Sequence, residues 1–420
     1  MHIVLVTPAY LPLPGGGERY VGALARGLAR QGHPVTVITS AATAEADLWS
    51  GTPTKRLIES VADGIRVVRC PIRSFPGGRR GLMMWRKAMV VISSLPGDQT
   101  AILSRMAAGI PPVTGMDDAL DALTDVDLVH AFNLSWERGL VAALRYAVRA
   151  GIPYVVTPFA HFGTGEGDRV ARNSTMDHQL TILRQASRVL VLTSVEQADL
   201  AKYNISPERI IVIGGGVDSL PATDMKEAST PTFHLDLPPI YGVFIGRLSF
   251  DKGAIHAAEA IRVLHRSGRE VALILAGSAT PEFSRYYDKL PESDRQLVRP
   301  IGLIGEVEKY RLLAGSRFLM LPSRSDSFGI VMLEAWACGV PVIAARAGGI
   351  PGVVDDGENG LLVSFGDVTG LAAAVERLLA DPAEAIHMGE NGRRKVADQY
   401  NWESVTERLS SHYTAILTGR

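Results

Sequence analysis

The stretch Leu321 to Gly349, LPSRSDSFGIVMLEAWACGVPVIAARAGG, constrains the fold of this chain more than any other. Its residue types predict a buried strand over 318–321, a short polar turn, a helix from about Gly329 to Ala337, and a second buried strand over 341–344. Gly339 can adopt the left-handed conformation that ends a helix, and Pro341 cannot continue one. The helix N-terminus then faces the turn, where backbone N–H groups without internal partners and the positive end of the macrodipole make a seat for a phosphate. Asp326 and Glu334 flank that seat with seven residues between them. A rise of ~1.5 Å per residue places Glu334 about 7 Å along the axis from Gly329, while Asp326 stays ahead of the helix. Two carboxylates so placed cannot share a metal without distortion, but they can hold the two ends of one elongated ligand.

The same strand, glycine turn and helix recur along the chain. His2–Thr7 is a continuous apolar strand of the kind buried on both faces of a parallel sheet. It leads through Gly15-Gly16-Gly17-Glu18 into a helix with Val21, Leu24, Ala25 and Leu28 on one face, and then into a strand over 35–39. Further strands are predicted over 65–70, 128–131, 154–157, 189–193 and 210–213, with a helix between Trp136 and Arg149. A second series starts with Tyr241–Ile245, Gly246-Arg247-Leu248 and Asp251-Lys252-Gly253, and continues over 271–276 and 298–304. The dinucleotide fingerprint GxGxxG is absent, which argues against a nicotinamide enzyme.

A length of 420 residues exceeds one ordinary core and implies two domains. Their predicted extents are 1–218 for an N-terminal domain, 219–240 for a Pro- and Thr-containing linker, 241–400 for a C-terminal domain, and 401–420 for a final helix. A formal charge of −1 supplies no field for nucleic acid. Cys70 and Cys338 are far apart, without disulfide or metal-ligand spacing, which fits a reducing cytoplasm. The N-terminus lacks the pattern of a signal peptide, and no run approaches the ~20 apolar residues of a membrane span. One segment points to a surface role. Arg79, Arg80, Arg86 and Lys87 are interleaved with Leu82, Met83, Met84, Trp85 and Met89, the pattern of a basic amphipathic face for peripheral contact with a membrane. The plainer reading is a helix with ordinary solvated charges.

Around Glu334 the sequence resembles a known family, the family 4 retaining glycosyltransferases. Their signature is an acid, seven residues and a glutamate, followed by a segment matched here by Ala337-Cys338-Gly339-Val340-Pro341-Val342-Ile343 and by Gly348-Gly349. The first acid is Asp326 where the family has glutamate. Gly246-Arg247-Leu248 with Lys252-Gly253 resembles the family's Arg and Lys pair, and Gly214-Gly215-Gly216-Val217-Asp218 resembles its Pro-Asn-Gly-Val-Asp junction, with a looser hinge expected from Gly214 and Gly215 in place of Pro and Asn. The resemblance covers nearly the whole chain and is strongest in the C-terminal half.

It implies the α/β GT-B fold, two Rossmann-like doubly wound domains facing across a cleft, with the final helix crossing back to the N-domain. It also implies a nucleotide-sugar donor, UDP- or GDP-linked, a hydroxyl acceptor, no cofactor and no metal requirement. Arg247 and Lys252 would take the diphosphate, Glu334 the ribose hydroxyls, and Asp326 with the backbone of Phe328 and Gly329 the donor sugar. Donor contacts would extend to Gly246, Gly277, Ser327, Ile330 and Val331, with the base against Ile304. From the N-domain, His161 would orient the sugar and Gly16 and Gly17 would close on it. A histidine alone is more often structural, and three glycines can be a plain tight turn. The competing readings are a GT-B sugar-nucleotide epimerase and a non-catalytic nucleotide-sugar-binding protein.

Overall fold

The computed structural model describes residues 1–420 apart from Pro14, His161, 163–168, 219–235, Ser325 and Arg420. The chain divides into two compact units. One comprises Met1–Phe162, Glu166–Gly214 and Trp402–Arg420, and the other contains Gly215–Asn401.

The first unit holds β1 (Ile3–Val6), β2 (Val35–Ser40), β3 (Ile58–Ala62), β4 (Ile65–Cys70), β5 (Leu128–Phe132), β6 (Tyr154–Thr157), β7 (Arg188–Val191) and β8 (Ile210–Val212). They form one sheet in the order β3-β4-β2-β1-β5-β6-β7-β8. All pairings are parallel except β3 with β4. β1, β2 and β5 are buried throughout, as continuous apolar runs covered by helices on both faces should be. β3 was not anticipated, because all five of its residues are exposed and carry no alternating pattern. Its signal is the turn. Asp63 and Gly64 both take positive φ, 53° and 74°, between the two strands, the Asp-Gly signature of a tight hairpin.

The helix Trp402–Leu417 belongs to this first unit and buries Trp402, Val405, Leu409 and Tyr413. The Tyr413 hydroxyl lies 2.6 Å from Nδ1 of His130, whose Nε2 is 2.8 Å from the Thr157 hydroxyl. Complete burial lowers the His130 pKa to about 3, so the ring sits neutral between two hydroxyls.

The second unit holds β9 (Tyr241–Ile245), β10 (Ala272–Ala276), β11 (Val298–Gly302), β12 (Leu319–Leu321), β13 (Val342–Ala345) and β14 (Gly360–Val363), in the order β11-β10-β9-β12-β13-β14, parallel throughout. The order of the strands reverses between β9 and β12. Open parallel sheets bind ligands at the carboxyl ends of the strands flanking such a reversal.

On each side of the glycine-rich junction the chain is held within its own unit. In the first unit the Tyr20 hydroxyl donates to the Gly214 carbonyl (3.0 Å) and Arg408 to that of Ile213 (3.0 Å). In the second, the Val217 amide donates to Tyr400 (2.8 Å), and a Cβ at Gly215 would stand 2.7 Å from the Phe328 ring. Gly215 is therefore required by close packing, which the sequence did not reveal.

Candidate active site

The loops after β9 and β12 carry the predicted residues and are stitched together at the strand-order reversal. The Arg324 amide donates to the Asp251 carbonyl (3.1 Å), and Arg324 Nε to the Asp251 carboxylate (2.9 Å). Across this junction Lys252 Nζ lies 2.7 Å from Asp326 Oδ1, both side chains being largely buried. A charged pair this close is held by a charge-assisted hydrogen bond. The Asp326 carbonyl in turn accepts from the Gly349 amide at 2.9 Å, so the Gly-Gly after β13 fixes the turn.

Gly329, left-handed at φ 77°, caps the helix Ile330–Ala337, one residue later than predicted. No side chain caps it, and the first-turn N–H groups of Ile330 and Val331 have no partner within the helix. Ser327 precedes it, half-buried. The Phe328 ring is turned into the core, edge-on to Tyr400 at 5.5 Å, so it can offer only its backbone to a ligand. Arg247 is exposed just past β9. Gly246 and Gly277 follow β9 and β10, where the Gly246 amide donates to Ala276 (2.9 Å) and the Gly277 amide to Gly302 (2.7 Å). Ile304, half-buried, follows β11 beside the exposed Leu303.

Glu334 is buried in the helix Ile330–Ala337, 6% exposed, and its Oε1 lies 2.6 Å from Lys309 Nζ. Lys309, itself 4% exposed, also reaches Glu306 at 2.6 Å. Sequence reasoning missed Lys309. Its only local signal was the Glu306, Lys309 spacing of three on a helix. Burial first and the Glu334 carboxylate second push the Cys338 thiol up to about 12 and raise the Tyr310 hydroxyl. That thiol is therefore protonated and is no nucleophile.

The remaining predicted residues lie in the first unit. Gly16 and Gly17 form the first turn of the helix Gly16–Arg30, with Gly15 as its cap, so they are not free loop positions. His161 lies outside the described residues. Just before it, Phe159 takes φ 48° against Tyr20 (5.3 Å between rings), and Glu196 Oε1 accepts from the Ala160 amide at 2.8 Å. The other Glu196 oxygen accepts from Leu192 (2.9 Å), and burial raises this carboxyl to about 7 despite both bonds.

The basic segment forms the helix Gly78–Ser93. Arg79, Arg80, Trp85 and Lys87 are exposed with Met83 and Met84 beside them. Arg86 corrects the expectation. It turns inward to the fully buried Glu137 and to the Ser135 carbonyl, because a buried carboxylate needs a cation more than the surface does. Among the described residues no helix is long and apolar enough to cross a membrane, and no group of three or more His, Cys, Asp or Glu is arranged to hold a metal.

Residues 226–395 match the family described as Glycosyl transferases group 1, and residues 15–216 match a Glycosyl transferase 4-like domain. Alpha-maltose-1-phosphate synthase of Mycobacterium tuberculosis is 30% identical, over 76% of this chain and 85% of that protein. Among solved structures, sucrose-phosphate synthase from Thermosynechococcus elongatus superposes with a TM-score of 0.73 at 22% identity, covering 100% of both chains. The Anabaena protein HepE, in complex with UDP and glucose, gives 0.67 at 19% identity over 98% of this chain and 99% of that one. The chain is therefore a member of the group 1, family 4 glycosyltransferases of the GT-B fold, an enzyme of sugar transfer.

Proposed function

We propose that the enzyme moves a hexose from a UDP- or GDP-linked donor to a hydroxyl acceptor, with retention at the anomeric carbon. The observation that carries this reading is the Lys252–Asp326 pair, set at the strand-order reversal of the second unit in front of the helix N-terminus at Ile330. A cationic group and unpaired backbone donors at such a place suit a diphosphate. The UDP complex of the HepE relative supports the same donor class.

As the bond to the leaving nucleotide breaks, negative charge grows on the β-phosphate. Preorganised positive groups there lower the barrier more than any other device on these loops. Lys252 and Arg247 supply charge, and the first N–H groups of the helix supply aligned dipoles. The hydrogen bond to Asp326 holds the Lys252 ammonium in place before the donor arrives, so little reorganisation is left for the reaction. In this reading Asp326 accepts from the sugar hydroxyls, and Glu334 accepts from the ribose. The departing phosphate then takes the acceptor's proton on the face it leaves, which gives retention without a protein nucleophile. Neither cofactor nor metal is called for in this reading.

Support for a cytoplasmic site of action is that both cysteines are free. Peripheral contact with an anionic membrane surface draws on the exposed Arg79, Arg80, Met83, Met84, Trp85 and Lys87, on a helix that carries no acid. Replacing Met83 and Met84 by Asp should abolish cosedimentation with phosphatidylglycerol vesicles; equal sedimentation of both proteins removes that contact. The function itself is tested by incubating the enzyme with UDP-, GDP- and ADP-hexoses and sugar-phosphate acceptors while following nucleoside diphosphate release. One UDP- or GDP-hexose should turn over faster with an acceptor than with water. Release from ADP-hexose alone, or from none, rejects the proposal.

A further inference from the structure

We propose that Lys309 is a positioning residue for the donor's ribose, setting through Glu334 the preference for a ribonucleotide over its deoxy counterpart. The inference rests on the reading of Glu334 as the ribose acceptor and deepens it. Lys309 lies on the helix Glu306–Ala314, on the same buried face as Leu312 and Leu313, where packing alone would favour an apolar side chain. An ammonium is expensive to bury, and a buried ion pair is often no more stabilising than well-packed apolar residues of the same volume. Stability is thus a poor account of a lysine at this position.

Its partner explains it better. Lys309 Nζ is 2.6 Å from Glu334 Oε1, while Glu306, its other partner at 2.6 Å, has a side chain 58% exposed. The one buried bond of the ammonium goes to the carboxylate at the donor site. A carboxylate has about four acceptor positions, and the ammonium takes one of them. It thereby fixes the plane of the group, so that the remaining lone pairs meet a vicinal diol in one geometry. Without it the Glu334 carboxylate loses a charge-assisted partner at 2.6 Å, and the hydrogen bonds to the 2′- and 3′-hydroxyls lose alignment.

Hydrogen bonds to a charged group are worth about tenfold to a hundredfold in affinity. The test is calorimetric titration of UDP, GDP and ADP against their 2′-deoxy analogues with the wild-type enzyme, Lys309→Met and Lys309→Gln, folding being checked by circular dichroism. The wild type should prefer one ribonucleotide at least tenfold. Lys309→Met should reduce that preference to less than about threefold and raise the donor KM at least tenfold, with kcat changed by less than about threefold. Lys309→Gln removes the charge but keeps a hydrogen-bond donor. It is the variant to read if Lys309→Met does not fold, and it should lose at least half of the preference on a logarithmic scale. An undiminished preference in a folded variant overturns the role of Lys309 while leaving Glu334 at the ribose. A wild type that binds a diphosphate without distinguishing the sugars overturns both.

Discussion

Gly253 joins the two loops of the site, and replacing it by alanine should damage stability and turnover together. The residue sits at φ 77°, directly after Lys252, and an added Cβ would stand 2.1 Å from the Pro322 carbonyl oxygen and 2.7 Å from Pro322 Cγ. The left-handed conformation costs a non-glycine residue about 1–2 kcal/mol. The overlap is with backbone at the end of β12, so it cannot be relieved by a rotamer change and should add roughly 1–3 kcal/mol. Gly268 provides the control. It has φ 84° with nothing within 4 Å of its Cβ position, so Gly268→Ala should show the conformational cost alone. In differential scanning calorimetry at ~2–4 °C per kcal/mol, Gly253→Ala should melt several degrees below Gly268→Ala. Relief of the overlap also shifts the segment that carries Asp326, and a shift of about 1 Å can cost a hundredfold in rate. Equal melting temperatures for the two variants would refute the close-approach argument, and unchanged donor kinetics in Gly253→Ala would refute its link to the Lys252–Asp326 register.

Lys252→Ala should lower kcat by about a hundredfold or more while changing nucleoside diphosphate affinity much less, because the charge it meets develops in the transition state; steady-state kinetics with calorimetry separates the two. Glu334→Ala should reverse the order, with donor affinity lost first. Stability should also depend on Glu196. Its folded pKa of about 7 lies above the usual 4.5, so its contribution is complete below pH 4.5 and is lost as pH rises through 7. The stability of the wild type relative to Glu196→Gln in urea unfolding should therefore fall by on the order of 3 kcal/mol between pH 4.5 and 8. A difference independent of pH rejects that assignment.

Much of this architecture was legible because parallel strands buried on both faces write themselves as unbroken apolar runs. Ile65–Cys70, Tyr154–Thr157 and Tyr241–Ile245 match their predicted bounds. β3 escaped because an exposed edge strand imposes no hydrophobic pattern, and only Asp63-Gly64 betrayed it. At the site, Asp326 and Lys252 stand 74 residues apart in sequence, and their direct pairing depends on which strands are neighbours. Lys309 was hidden for the same reason, since a charged residue on a helix reads as solvated until its neighbours are known. Arg86 shows the error that follows, having been assigned to a surface when Glu137 holds it inside. The tightness at Gly215 came from Phe328, more than 100 residues away, which no local pattern could report.

The most direct test of the central claim is calorimetric titration of the wild-type enzyme with UDP, GDP and ADP and with the matching nucleosides. The diphosphate seat proposed for Arg247, Lys252 and the helix at Ile330 predicts that either UDP or GDP binds at least ten times more tightly than its nucleoside. Equal affinity of nucleoside and diphosphate, or no binding by any diphosphate, would contradict it.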